Sequence, residues 1–410
     1  MGSRLRFARL LALGPAVIVS VAYIDPGNFG SNIAAGSTFG LKLLWIVWLS
    51  GLMAILFQYI AGKIGLVGVT IPEYVFSRLE GVRFARLWKT LYFLALFIMI
   101  LATDMAEFLG IALGFHLLLG IPLMAAVWIS IIDVLILMMY ANTMGRLEKL
   151  IASLVAVVGL SYVYELYIVN IDPGEVLESS FRVSLDNREM VLIATSIIGA
   201  TVMPHAVLLH SYLSRDKWAL GGISNIKEVV RKHAAETVIF LAIASLINAS
   251  LQIMSYYAFY RNGYVNIDSM EMAYATLEPL YGNLAAIVFG IAIMASGVSS
   301  SMVSVMAGVS IIESYIGRRL QEWKVRLLAR LINMIPLAVA IQMGMKTIDV
   351  LVYSQAVLSM TLPLVLIPLI IISSNKKIMG DLANSKTITA LAVASTTLII
   401  GINLYLPLAE

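Results

Sequence analysis

The chain has 410 residues, of which 60% are hydrophobic and 13% are charged, and its mean hydropathy is +0.92. Because a soluble globular domain carries roughly 25% charged residues, this composition excludes an ordinary soluble domain and predicts a polytopic membrane protein. The net charge of +4 is mild and nothing supports nucleic-acid binding, while the lack of cysteine excludes disulfides and thiolate metal sites.

Apolar stretches of about 20 residues, the length that crosses a bilayer, recur along the whole chain. We predict eleven spans, at residues 11–36, 43–62, 90–114, 122–140, 147–168, 190–213, 234–256, 283–316, 327–343, 351–373 and 387–405. No long polar block separates them, so we expect a single membrane domain over residues 1–410. The first apolar run lacks a small-residue cleavage site, which favours a retained helix over a signal peptide.

The basic residues are distributed very unevenly between the predicted loops. If the N-terminus is cytoplasmic, 23 of the 28 Lys and Arg residues lie in inside segments and five lie outside. This asymmetry follows the positive-inside rule and predicts a cytoplasmic N-terminus and an external C-terminus. The outer segments 172–189 and 257–282 are expected to be mixed-charge connectors. Short loops and minimal termini suggest the plasma membrane of a prokaryote.

The first span contains an interruption, "VAYIDPGNFG", in which polar and helix-breaking residues stand in an apolar run. Pro26 has no backbone N–H and Gly27 accepts almost any backbone conformation, so the pair frees upstream carbonyls such as that of Ala22. Freed carbonyls in hydrocarbon need a partner, and a bound cation is one. With the carboxylate of Asp25 and the amide oxygen of Asn28, this turn is predicted to form half of a cation site.

The sixth span contains a second interruption, "GATVMPHAVLLHS", in which Pro204 frees the carbonyl of Ala200 and Met203 adds a thioether. A methionine in a membrane helix is usually a packing residue, but its place beside a mid-membrane proline favours a ligand. A thioether among oxygen ligands indicates a softer first-row metal such as Mn²⁺ or Fe²⁺.

Interruptions in spans one and six are typical of a 5+5 inverted repeat with the substrate held between the two breaks. We therefore expect repeats over about 9–168 and 190–373, with the eleventh span, about 387–405, outside them. This prediction rests on the paired interruptions alone.

The third span carries two carboxylates, Asp104 and Glu107, on one helical face. Such a pair often marks a proton relay, and it also fits a salt bridge with Arg330 at the inner end of the ninth span. His205 follows the second break and either titrates near neutral pH or bonds a carbonyl.

Three more polar side chains lie within apolar runs. Gln355 in the tenth span is placed to lend an oxygen when the site closes, whereas Gln58 and Asn248 either do the same or bond between helices, which is the commoner use. His210 is interpreted as structural.

The segments "YIDPGNF", "TVMPHxxxLHS", "ATDMAEFLG" and "LVYSQAVLSMTLPLVLIPL" resemble the Nramp family of divalent-metal transporters, and the resemblance covers residues 10–405. It implies an all-α LeuT-like fold with helices 1 and 6 unwound at mid-membrane. It also implies alternating access, import of Mn²⁺ or Fe²⁺ with protons, no enzymatic activity and no cofactor besides the transported metal. By resemblance, the metal ligands are Asp25, Asn28, Met203, Ala22, Ala200 and Gln355. By the same resemblance, the proton pathway consists of Asp25, His205, Glu107, Asp104 and Arg330.

The chain departs from the family in one place, since Ala329 precedes Arg330 where members often carry two adjacent arginines. This departure puts the strength of proton coupling in question. The main alternative is a Mg²⁺-transporting or broadly permissive relative, although Met203 argues against the Mg²⁺ branch. A sodium-coupled organic-solute symporter is less compatible, because Asp25 repels a substrate carboxylate, and a metal hydrolase lacks its His-Glu-x-x-His motif. We expect the chain to function as a monomer in the lipid bilayer.

Overall fold

The computed structural model describes residues 15–132, 144–221, 226–318 and 322–409, and this part of the chain is helical with no strand. The first eight helices are α1 Pro15–Ala22, α2 Pro26–Phe39, α3 Leu44–Leu66, α4 Ile71–Leu79, α5 Ala85–Leu119, α6 Leu123–Ile129, α7 Met144–Ile168 and α8 Pro173–Phe181. The remaining helices are α9 Arg188–Val202, α10 Pro204–Gly221, α11 Ile226–Ala258, α12 Met270–Tyr281, α13 Asn283–Ile316, α14 Glu322–Gln342, α15 Thr347–Ser374, α16 Lys376–Met379 and α17 Lys386–Tyr405.

Within the described ranges, seven helical segments are long and apolar enough to cross a membrane. They are Leu44–Leu66, Ala85–Leu119, Arg188–Asp216, Ile226–Asn262, Asn283–Ile316, Thr347–Ser374 and Lys386–Tyr405. Predicted span one is not among these seven segments because it is divided into two shorter helices, α1 and α2. Predicted spans five and nine contain shorter apolar helical segments, Ala156–Ile168 and Arg330–Gln342.

Both predicted interruptions are breaks between two helices. In span one, α1 ends at Ala22 and three non-helical residues follow, since Pro26 cannot donate to the carbonyl four residues back. In span six, Met203 alone separates α9 from α10, and its backbone is left-handed, with φ of 49° and ψ of 86°. A left-handed residue followed by proline ends one helix and starts the next within a single position.

The two broken spans lie inside the bundle. Helix α2 packs against α9, α11 and α15. The most extensive packing of α9 is against α15, and that of α10 is against α3. Helices α5 and α13 form the other large helix pair. The eleventh span, α17, contacts α15 from the edge and is mostly exposed to the surroundings, whereas Arg188–Asp216 is almost entirely buried.

Two predicted connectors are wrong in detail, because each contains a helix. Helix α8 begins after Asp172, whose carboxylate caps the N–H groups of Gly174 and Glu175, and α12 begins after Ser269, which caps Met272. For span four the structure describes α6, and residues 133–140 lie outside the described residues. Residues 1–14, on which the predicted cytoplasmic N-terminus depends, lie outside them as well, and the repeat boundaries stay a prediction.

Candidate metal site and its charged neighbours

Asp25 lies at the first break and caps α2. Its Oδ2 accepts the N–H of Gly27 at 3.1 Å and its Oδ1 accepts the N–H of Asn28 at 3.0 Å. The residue is buried, at 2% exposure. The N-terminal end of a helix carries partial positive charge, so α2 stabilises this carboxylate in an apolar region.

Asn28 connects the two breaks. Its Nδ2 lies 2.7 Å from Asp25 Oδ1, 3.2 Å from the carbonyl oxygen of Tyr23 and 3.0 Å from the carbonyl oxygen of Ala200, while its Oδ1 accepts from Thr201 at 3.2 Å. An amide nitrogen has two hydrogens, so three oxygens from two different spans compete for them. Oxygens gathered around a donor in this way present the surroundings that a cation needs.

The two predicted carbonyl ligands share one local cause. Ala22 and Ala200 each stand four residues before a proline, so the helical partner of each carbonyl is a nitrogen without hydrogen. The carbonyl of Ala200 accepts from Asn28, and the carbonyl of Ala22 accepts no hydrogen bond from any described residue. Met203 lies between the broken ends of span six and is 1% exposed.

Gln355 on α15 lies against the first break. A Cβ placed on Gly27 would lie 2.2 Å from Gln355 Nε2 and 2.8 Å from Asp25 Oδ2, so these two atoms are within about 5 Å of each other. Gln355 Oε1 is buried and has no hydrogen-bond partner among the described residues. The backbone of α15 reaches this position because Gly199 has no side chain: its Cβ would lie 1.9 Å from the carbonyl oxygen of Gln355.

The polar residues Gln58 and Asn248 bond between helices, which is the commoner use considered from the sequence. Asn248 donates to the carbonyl of Tyr23 at 3.1 Å, and Gln58 donates to the hydroxyl of Tyr23 at 2.8 Å. His210 Nδ1 lies 2.7 Å from Gln58 Oε1, so this histidine supports the first break from a distance, as its structural interpretation expects.

The predicted ion pair between spans three and nine is present. The Nη1 of Arg330 lies 2.6 Å from Oδ1 of Asp104 and 3.4 Å from Oε2 of Glu107, and all three side chains are buried. Ser304 on α13 contacts both carboxylates, at 2.7 Å from Asp104 and 2.5 Å from Glu107, and Asn333 donates to Asp104. A buried cluster of this kind is stable only when its charges are paired and hydrogen-bonded.

A cavity of about 20 Å³ adjoins this cluster and is lined by Asp104, Ser304, Arg330 and Asn333 together with apolar residues. It is large enough to hold one water molecule. His205 lies nearby on α10, where its Nδ1 is 3.2 Å from the hydroxyl of Thr103, the residue before Asp104. The carbonyl bond, one of the two roles considered for His205, is not found among the described residues, and its Nε2 has no partner there.

A wider cavity, of about 720 Å³, opens on the predicted outer side between α2, α9 and α15. Its rim carries Glu189, Asp268 and Asp349, and its wall includes Ala356, the neighbour of Gln355. The cavity therefore opens among charged residues at the predicted outer surface, Arg188 as well as the three carboxylates.

The comparisons with known proteins decide the family. Residues 16–409 match the Nramp family, described as natural resistance-associated macrophage protein-like. The chain belongs to the Nramp family. The divalent metal cation transporter MntH of Caldanaerobacter subterraneus subsp. tengcongensis is 40% identical over 402 residues, 97% of this chain and 93% of that protein. The MntH of Yersinia pestis is 36% identical over 404 residues, 98% of this chain and 96% of that protein.

Solved structures agree with this Nramp assignment. The Eremococcus coleocola manganese transporter in complex with an aromatic bis-isothiourea compound has a TM-score of 0.85 at 27% identity, covering 96% of this chain and 85% of that one. Mhp1, a nucleobase-cation-symport-1 family transporter, has a TM-score of 0.62 at 16% identity, covering 96% and 92% of the two chains, and supports the fold alone. The expected all-α LeuT-like fold is confirmed. The relatives are named as transporters and not as enzymes, which agrees with the expected lack of enzymatic activity.

The residue roles in this Nramp protein stay predictions, but the structure brings several of the predicted residues together in two groups. One contains Asp25, Asn28, Ala200 and Gln355, and the other contains Asp104, Glu107 and Arg330. The structure also adds Thr201, Ser304 and Asn333, which the sequence interpretation missed. Small hydroxyl and amide residues in apolar helices are common, so only their place beside Asn28 or Asp104 distinguishes them. Among the described residues there is no cluster of three or more histidine or acidic side chains, so a metal here depends on carbonyl, amide and thioether ligands beside the single carboxylate of Asp25.

Proposed function

We propose that this Nramp protein imports Mn²⁺ or Fe²⁺ across the plasma membrane by alternating access, coupled to protons. One observation carries the proposal: the amide of Asn28 is held by the carboxylate of Asp25 on one side of the site and by the carbonyl of Ala200 on the other. Ligands from both broken spans therefore meet at one point. The names of the relatives support the metal as substrate.

The ligand set supports a first-row transition metal. A divalent cation takes the place of the Asn28 amide nitrogen between the oxygens, and rotation of that amide turns its Oδ1 towards the metal. Met203 then adds a thioether, which Mn²⁺ and Fe²⁺ accept more readily than the strongly hydrated Mg²⁺ does. A Mg²⁺-permissive carrier remains the second candidate, and it is favoured by the width of the outer cavity, which has room for a hydrated ion.

The positions of the proposed ligands on different helices support alternating access. Gln355 on α15 contacts the first break, and α15 is packed against α9 through Gly199. In our proposal the metal enters through the outer cavity, and movement of α15 and the outer halves of the broken spans brings Gln355 onto it. The same movement closes the outer path before the inner path opens.

Proton coupling is assigned to the buried cluster beside the metal site. Ser304 has one hydroxyl hydrogen and lies within hydrogen-bond distance of both Asp104 and Glu107. A proton shared among these three groups is exchanged without moving a heavy atom far, and Arg330 keeps the cluster near neutrality. The single Arg330, with Ala329 before it, leaves one fixed positive charge for two carboxylates.

Uptake into proteoliposomes tests the proposal. We expect wild-type protein to accumulate Mn²⁺ faster with an inward proton gradient and to carry protons inward with the metal. Asp25→Ala is expected to abolish metal uptake, since it removes the one formal charge among the predicted ligands. Asp186→Ala, which removes an exposed outer carboxylate that pairs with Lys42, serves as the control. Normal uptake by Asp25→Ala contradicts the site assignment.

A further inference from the structure

The outer end of span five contains a carboxylate that the proposed mechanism does not use. Glu165 on α7 is 1% exposed, and neither of its oxygens has a hydrogen-bond partner among the described residues. The hydroxyl of Tyr162, one helical turn earlier, is also buried without such a partner. A buried carboxylate needs a hydrogen-bond donor or a counter-charge, so a carboxyl group with neither among the described residues is a candidate to bind a proton.

Tyr162 connects this carboxylate to the metal site. Its ring packs on Phe29 at a centroid distance of 5.4 Å, and Phe29 follows Asn28 in α2. Glu165 lies one turn further along α7 than Tyr162, and Phe29 lies in the first turn of the helix that Asp25 caps. Tyr162 therefore connects the turn of α7 that carries Glu165 to the helix that begins at the first break.

Within the part of the chain that the structure describes, no charged group on the helices packed against α7 pairs with Glu165. Helix α7 packs on α1, α11 and α13 and touches α2 through Phe29. Helices α1 and α2 contain no ionisable side chain. The ionisable residues of α13, Glu313 and Tyr315, lie near its inner end. On α11, Tyr256 and Tyr257 lie near the end of the helix. The other ionisable residues of α11 lie near its start and are Lys227, Glu228, Arg231, Lys232, His233 and Glu236. Tyr256 and Tyr257 both hydrogen-bond to Glu175.

We propose that Glu165 is a second proton-binding site, separate from the Asp104–Glu107 pair, which takes its proton from the outer side and carries part of the proton flux. Two observations carry this inference: the buried carboxyl group has no partner among the described residues, and Tyr162, one turn away, packs on Phe29 beside the first break. A metal ion is not the ligand, because Glu165 and the Tyr162 hydroxyl supply too few oxygens for a divalent cation. The inference rests on the proposed proton coupling.

Glu165→Gln tests the inference, because glutamine keeps the shape of a protonated glutamate and binds no proton. The matched control is Glu178→Gln, a neutralisation of an exposed glutamate on α8. Full-length protein is reconstituted in vesicles that contain a pH-sensitive dye, and Mn²⁺ entry and proton entry are measured together. We expect Glu165→Gln to bind Mn²⁺ as wild type does and to move about twofold fewer protons per Mn²⁺, while Glu178→Gln is unchanged.

An unchanged proton-to-metal ratio in Glu165→Gln overturns the inference, and so does loss of Mn²⁺ binding, which would assign Glu165 to the metal. Infrared difference spectroscopy separates this failure from failure of the proposed function. At neutral pH we expect a protonated-carboxyl band that wild type shows and Glu165→Gln lacks. If wild type moves no protons with Mn²⁺, the coupling proposal fails while this band still decides whether Glu165 binds a proton. Identical bands in the two proteins refute the site.

Discussion

Gly199 sets the distance between the second break and Gln355, so Gly199→Ala is a sharp perturbation of the site. The added Cβ would lie 1.9 Å from the carbonyl oxygen of Gln355 and 2.7 Å from the N of Ser359, both of them backbone atoms that no rotamer change relieves. Since ordinary contacts begin at 3.4 Å, α15 must move by about 1.5 Å. Overpacking of this kind costs about 1–3 kcal/mol, and the shift carries Gln355 away from Asp25.

The assay combines thermal unfolding in detergent with Mn²⁺ uptake in proteoliposomes. We expect Gly199→Ala to lower the melting temperature and to reduce Mn²⁺ uptake strongly, by about tenfold or more, because ligands displaced by an ångström lose their geometry. The matched control is Gly401→Ala in α17, where the added Cβ meets no described atom within 4 Å. Alanine improves a helix by up to about 1 kcal/mol there, so Gly401→Ala is expected to be neutral or stabilising. If the two variants behave alike, the close approach of α9 and α15 does not position Gln355.

The other predictions concern the buried cluster and the closing ligand. Arg330→Ala leaves two buried carboxylates without their counter-charge and is expected to lower the free energy of unfolding by about 3–5 kcal/mol. Lys346→Ala breaks an exposed, solvent-screened bridge to Asp268 and is expected to leave the free energy of unfolding nearly unchanged. Equal effects in a denaturant titration would refute this contrast. Ser304→Ala is expected to keep Mn²⁺ binding and reduce proton entry per Mn²⁺, and an unchanged ratio would remove Ser304 from the path. Gln355→Ala is expected to raise the KM for Mn²⁺ uptake about fivefold, the loss of one neutral ligand, and an unchanged KM would exclude it as a ligand.

The features predictable from the sequence are those with local causes. The breaks at Pro26 and Pro204 follow from the missing N–H of proline, and most spans follow from apolar runs of bilayer length. The pairing of Arg330 with Asp104 and Glu107 was predictable because buried charges need partners. Family membership follows from the motifs around these same residues.

The features that the sequence did not reveal depend on tertiary contacts. Helices α8 and α12 are short and amphipathic, so their segments resemble loops until a cap such as Asp172 or Ser269 is considered. The direction of the Asn28 amide depends on Thr201 and Ala200, 172 or more residues away. Glu165 belongs to a span with unremarkable hydropathy, and only its burial without a partner distinguishes it.

In the proposed mechanism, the thioether of Met203 selects Mn²⁺ over Mg²⁺ at the point where the two breaks meet. The most direct test is Mn²⁺ uptake into proteoliposomes with excess Mg²⁺ as competitor, comparing wild type with Met203→Ala and with Met203→Leu, which removes sulfur at nearly constant volume. We expect wild type to ignore Mg²⁺ and both variants to become sensitive to it. Strong Mg²⁺ competition against wild type, or variants that discriminate as well as wild type does, would contradict the claim.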